Sequence, residues 1–138
     1  RGQQENQNYD PVNWDYYLKS RGIKDVVTLY DHQEDMNEWL ENIDILLHPG
    51  QKEAFCYAIG EAMAKGIPVV VNDFYGSREI WPDYCYQTHD EAIERINSIV
   101  NPNYGSIPTQ HRQFIQDNYS LERQLKETDE FLGILSET

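Results

Sequence analysis

Long apolar runs, cysteines and basic side chains are all scarce in this chain, and each scarcity excludes something. No apolar stretch approaches the roughly 18–20 residues needed to span a bilayer, so no transmembrane helix is expected. Cys56 and Cys85 are the only cysteines in 138 residues, too few for a disulfide framework and without the spacing of a zinc site. Two buried thiols in a reducing, cytoplasmic compartment are the expectation. Eleven Lys and Arg face 24 Asp and Glu, a formal net charge of −13. That balance argues against a nucleic-acid partner, whose phosphates are gripped by cations, and against a strongly anionic membrane surface. The chain opens on Arg1 with no signal-peptide pattern, so Arg1 is not expected to be the natural start of the protein.

What is present is the material of a core. Hydrophobic residues make up 39% and aromatics 12%, which argues against disorder, and the length suits a single domain. Residues 1–11 are polar and aperiodic and read as a loop. Trp14, Tyr17 and Leu18 then repeat at helical spacing, with Gly22 as the stop. Val26, Val27, Thr28, Leu29 and Tyr30 read as a strand. Met36, Trp39, Leu40 and Ile43 form a helical stripe, and residues 43–47 read as a second strand ended by His48-Pro49-Gly50. Phe55, Ala58, Ile59, Ala62 and Met63 line one face of the clearest helix, which Gly66 terminates. Residues 67–71 are a nearly unbroken apolar strand, as expected where helices cover both faces. A short strand near Cys85, a helix through Ile93, Ile96 and Val100, and a tail with Leu121, Leu125, Leu132 and Leu135 on one side complete the chain.

This alternation predicts an α/β fold with a parallel sheet and helices on both faces, organised as a 12–107 core followed by C-terminal helices over 108–138. Ligands in such folds bind at the carboxyl ends of strands, which selects the loops 30–35, 48–54 and 72–78.

The middle loop, His48-Pro49-Gly50-Gln51-Lys52-Glu53, runs into the helix that carries Glu61. Amides around Ala54, Phe55 and Cys56 would offer unsatisfied N–H groups backed by the helix dipole, a seat for a phosphate or sugar oxygen. Were the helix to extend back to Glu53, the two carboxylates would lie about 12 Å apart along its axis, each able to accept a pair of hydroxyls. Spacing alone favours a plainer explanation, with Glu53 complementing the dipole and Glu61 pairing with Lys65.

The run from Glu53 through Phe55, Glu61-Ala62-Met63-Ala64-Lys65-Gly66-Ile67-Pro68-Val69 resembles the E-x7-E signature of retaining GT-B glycosyltransferases, the glycogen-synthase-like group often called family 4. Gly76-Ser77-Arg78-Glu79-Ile80 resembles that family's Gly-Gly-x-x-Glu-Ile segment, and Asn118-Tyr119-Ser120-Leu121 the lead-in to its last helix. The resemblance implies a partial Rossmann-like domain, the nucleotide-sugar-binding C-terminal half of a two-domain enzyme. It implies Glu53 as the catalytic-site carboxylate that positions the donor sugar and Glu61 as the ribose ligand. Amides of Phe55, Cys56 and Tyr57 would face sugar and diphosphate, beside Ala54, and the loop of His32 and Gln33 would border the base. Ala54 and Cys56 stand where glycine or serine is usual.

The expected donor is a nucleotide-diphosphate sugar, with no other cofactor, and the acceptor a glycan or lipid reached through an N-terminal domain not in this chain. Peripheral membrane association of the parent stays open. The Arg/Lys pair with which the family grips the diphosphate has no match here. Residues 31–61 hold eight acidic side chains against Lys52, so the chain alone is expected to be an inactive fragment. Lys52 and Arg78 read as solvated charges rather than substitutes for that pair. A non-catalytic sugar-nucleotide binding module and a GT-B nucleotide-sugar 2-epimerase are the alternatives. His32, His48, His89 and His111 show no metal-ligand spacing, and no metal is expected.

Overall fold

The computed structural model describes residues 11–101 and 104–136; the polar stretch read over residues 1–11 falls almost entirely outside them. Two units divide the chain, Arg1–Glu34 and Asp35–Thr138.

In the first unit, helix α1 spans Pro11–Ser20, with proline at its first position where no amide partner is lost. Asp15 joins it to the following turn by ion pairs of 2.6 Å to both Lys19 and Lys24. Those two ammonium groups hold the Asp15 carboxyl below its usual range. Gly22 takes φ +67°, and the Gly22 and Ile23 amides return to Lys19 and Leu18 carbonyls, closing the helix as its position in the sequence implied. The strand expected at 26–30 is not formed. Lys24–Val26 is a single 3-10 turn, and residues 27–30 are in neither helix nor strand, with Val26 81% and Tyr30 65% exposed. β-Branched residues favour extended backbone, but a strand needs a neighbour in register as well as the propensity to extend.

The second unit is built on three parallel strands in the order β1-β2-β3: Leu46–His48, Val69–Asn72 and Cys85–Tyr86. Helix α2, Met36–Leu40, begins at Asp35, whose carboxylate accepts the Glu38 amide at 2.9 Å. It stops short of Ile43 because the amides of Glu41, Asn42 and Ile43 each bond three residues back. This tightening still brings Ile43 against the core. β1 starts three residues and ends one residue later than expected and includes His48, paired in register with Val71.

β2 is the middle strand and is buried on both sides. Val69 and Val71 pack with Ile59, Ala62 and Met63 of α3 (Tyr57–Lys65), whereas Val70 packs with Ala92 and Ile99 of α5 (His89–Val100). Alternation along one strand thus builds two cores, with helices on both faces as the sequence predicted. The short α4, Ser77–Ile80, links β2 towards β3. α6, Ile107–Tyr119, lies against α3, and Ser120 in extended conformation breaks it from α7, Leu121–Ser136. Leu121, Leu125 and Leu132 do share one side of α7 and are exposed; the Leu135 side chain lies outside the described residues.

The α3–α6 contact is cemented by aromatics. Trp81 is fully buried, with ring centroids 4.9 Å from Phe55, 5.5 Å from Tyr119 and 6.3 Å from Phe114. Its indole N–H donates to the Phe55 carbonyl at 3.2 Å. The Tyr119 hydroxyl donates to the Ile80 carbonyl at 2.9 Å.

Candidate functional site

The loop between β1 and α3 is held at three points. His48 is fixed by the β1–β2 ladder, the Gly50 carbonyl accepts from the Asn72 side-chain amide at 3.0 Å, and Phe55 is tied to Trp81. Both Asn72 and His48 end their strands, so the loop sits at the carboxyl edge of the sheet, where the sequence placed it.

Helix α3 starts at Tyr57, four residues later than an unbroken helix from Glu53 would require. Glu53, Ala54, Phe55 and Cys56 therefore lie in the loop, and Cys56 caps the helix with φ +58° and ψ +82°. Cys56 is the one non-glycine among the described residues with positive φ. An L-residue pays for that conformation, which a glycine would take freely. The Cys56 carbonyl accepts the Ile59 amide, and its sulfur faces the Ile59 and Ala58 N–H groups. Burial first, and the Glu53 charge after it, push the Cys56 thiol up against the pull of those amides. The thiol is accordingly protonated at neutral pH and is no activated nucleophile.

The two glutamates separate. Glu53 turns back towards β1, with Oε1 3.4 Å from His48 Nε2; the same nitrogen lies 3.3 Å from Cys56 Sγ. The three donor atoms fall within 4.8 Å of one another. His48 is mostly buried against Phe74, and its other nitrogen, Nδ1, is buried without a hydrogen-bond partner. Glu61 instead lines a groove of about 620 Å³ between α3 and the α6–α7 bend, with Tyr57, Ala64, Asn118 and Glu127 among its walls. Tyr57 is largely exposed, and its ring lies 5.4 Å from Phe55.

His32 and Gln33 belong to the first unit, where the Gln33 side chain donates to the Asp31 carbonyl at 2.8 Å. Arg78 is engaged by Asp73 at 2.8 Å, and Asp73 also accepts from Ser77 and Gln87. Led by Arg78, these donors hold the Asp73 carboxyl below its usual range. His89 is the first residue of α5. His111 is buried, 3.2 Å from the Ile67 carbonyl through Nδ1. The meeting of His48, Glu53 and Cys56 escaped the sequence reading. Its only sequence signal is their spacing, His-x4-Glu-x2-Cys, across a strand end and a helix start.

Residues 12–120 match the family described as Glycosyl transferases group 1. The chain belongs to that family. Among similar proteins, a GDP-mannose-dependent alpha-mannosyltransferase of Mycolicibacterium smegmatis is 44% identical over 39 residues, 28% of this chain and 10% of that protein. A protein with the same description from Mycobacterium tuberculosis is 34% identical over 47 residues, 34% of this chain and 12% of the relative. Protein CapJ of Staphylococcus aureus is 26% identical over 74 residues, 53% of this chain and 18% of its own length. The matched stretches are thus a small part of each of these relatives. No solved structure matches this chain. The parallel α/β architecture agrees with a partial Rossmann-like domain of this glycosyltransferase family. Among the described residues, no helix is long and apolar enough to cross a membrane.

Proposed function

We propose that this chain is the donor-binding part of a retaining glycosyltransferase, which moves a sugar from a nucleotide diphosphate to a glycan or lipid acceptor. The reading is carried by the family match over residues 12–120, which contains the loop and helix bearing Glu53 and Glu61. Glu53, at the sheet's carboxyl edge, orients the donor sugar, and Glu61 hydrogen-bonds the ribose hydroxyls through its paired carboxylate oxygens. Backbone at Ala54, Phe55, Cys56 and Tyr57 closes on sugar and diphosphate. The names of two relatives make GDP-mannose the first donor to test. Two free thiols fit a reducing, cytoplasmic setting.

The test is donor kinetics of the intact enzyme carrying Glu61→Ala. Losing a hydrogen-bonded carboxylate removes about 1.5–3 kcal/mol, so the donor KM should rise by roughly tenfold to a hundredfold. Unchanged donor kinetics would remove Glu61 from the site.

The charge distribution favours a second reading, a sugar-nucleotide binding module without turnover. Residues 31–61 carry eight acidic side chains against Lys52 alone, and Arg78 is engaged by Asp73. Like charge opposes a diphosphate, so this chain alone should bind it weakly. Titration of the chain with GDP, UDP and ADP by NMR separates the readings. Shifts at 30–36 and 50–61 support a donor site; no response at millimolar ligand points to an incomplete one.

A further inference from the structure

We propose that His48, Glu53 and Cys56 form a three-ligand site for one divalent transition-metal ion, with zinc the best match. The donor set is one imidazole nitrogen, one carboxylate oxygen and one sulfur, a combination that suits zinc and its neighbours rather than magnesium or calcium, which favour oxygen alone. Three protein ligands with a fourth position free is an open tetrahedral arrangement.

Two of the three edges agree with this, and the third, from the Glu53 oxygen to the Cys56 sulfur, lies within 4.8 Å against about 3.6 Å in such a tetrahedron. In a tetrahedron with ordinary zinc bond lengths, the nitrogen–oxygen edge is about 3.4 Å and the nitrogen–sulfur edge about 3.6 Å. The corresponding separations here are 3.4 Å from His48 Nε2 to Glu53 Oε1 and 3.3 Å from His48 Nε2 to Cys56 Sγ. The carboxylate can adjust its distance to the sulfur, because the Glu53 side chain is 35% exposed and sits on a loop. That exposure is also the entry path.

The other two ligands are firmly placed. His48 is in the β1–β2 ladder, and Cys56 caps α3 one residue after the carbonyl bound by Trp81. Gly50 makes the approach feasible: a Cβ there would stand 2.5 Å from His48 Cε1 and 2.8 Å from Glu53 Oε1. The ligands sit in a strongly acidic stretch of chain, which draws cations. One element is missing. His48 Nδ1 has no acceptor behind it, and loss of such outer-shell support costs about 10–100-fold in affinity. The site is therefore weaker than a structural zinc site. Occupancy would engage the Glu53 carboxylate, so zinc should compete with donor in the intact enzyme; this consequence rests on the proposed function, whereas binding itself does not.

Cobalt(II) titration of the chain is the test. The expected result is a tetrahedral d–d spectrum with a sulfur-to-cobalt charge-transfer band, saturating at one equivalent and bleached by zinc but not by magnesium. Cys56→Ser should remove the charge-transfer band, His48→Gln and Glu53→Gln should each weaken binding about tenfold or more, and Cys85→Ser should leave the spectrum intact. Cys56→Gly should fold, because glycine adopts the required positive φ without strain. The proposal is overturned if stoichiometric cobalt gives no such absorption, or if the band survives in Cys56→Gly with its circular dichroism unchanged. Cobalt binding without zinc–donor competition would leave the metal site standing and count against Glu53 in donor binding.

Discussion

Single residues decide the shape of the β1–α3 loop more than its composition does. Gly50 is the clearest case, because the space a side chain would occupy is already filled by the His48 ring and the Glu53 carboxylate. The Glu53 end can swing away cheaply, whereas the ring is buried and paired into the sheet through its backbone. Gly50→Ala should thus separate His48 from Glu53 at an overpacking cost of about 1–3 kcal/mol. Denaturant unfolding checks the stability change, and the cobalt titration checks the lost His48–Glu53 approach; an unchanged metal affinity would contradict the crowding argument. Cys56 is the opposite case, a side chain retained where the backbone favours glycine. Cys56 is conspicuous in the sequence, at a position where glycine or serine is usual, but the approach of its sulfur to His48 Nε2 depends on the fold.

At the scale of elements, α3 is defined by its two ends. The Gly66 amide returns to Ala62 and Met63 carbonyls at φ +81°, and the Ile67 amide closes on Ala62 at 2.9 Å. Against this cap lies Arg112 of α6, donating to the Lys65 carbonyl at 2.6 Å. A Cβ on residue 66 would stand 2.8 Å from the guanidinium carbon. Gly66→Ala should cost at least about 1–2 kcal/mol from handedness alone, with a further loss if Arg112 must leave. Urea unfolding should show a lower midpoint at constant slope. Gly66→Asn should lose less than alanine, since asparagine tolerates the left-handed region. This helix end was legible in the sequence because Gly-x-Pro follows an apolar stripe and the cap is local. The start was not, since the break at Cys56 depends on Trp81, 26 residues beyond Phe55, binding its carbonyl.

Across the whole molecule, the buried His111 makes stability depend on pH. Burial holds its imidazole below the ordinary range, opposed by the hydrogen bond to the Ile67 carbonyl. Tyr84 packs edge-on against it at 4.8 Å. The folded state therefore resists a proton that the unfolded chain accepts. Stability is complete above the unfolded value of about pH 6.5 and falls as pH drops from there towards the lower folded value. The carboxyl groups of Asp15 and Asp73 act in a more acidic window, because their lowered folded values make their contribution complete above about pH 4. Thermal unfolding between pH 7 and pH 4.5 should show the His111 slope in the wild type and lose it in His111→Asn. A slope of equal size in that variant would assign the effect elsewhere.

The sequence by itself determined what depends on local pattern: the α/β class, the buried middle strand, the caps at Gly22 and Gly66, and the family-like run from Glu53 to Val69. Each is written in neighbouring residues or in a periodicity of two or 3.6. It also placed the candidate loop, because strand–loop–helix order puts that loop at the sheet's carboxyl edge. Only the tertiary structure decided that residues 26–30 do not pair as a strand, that His48 lies inside β1, and that α3 waits until Tyr57. Those outcomes turn on partners distant in the chain: a neighbouring strand present or absent, Val71 opposite His48, Trp81 beneath Phe55. The same long-range packing turned Glu53 towards His48 and Glu61 towards the α6–α7 groove, because backbone direction at Cys56, rather than residue spacing, sets where each carboxylate points.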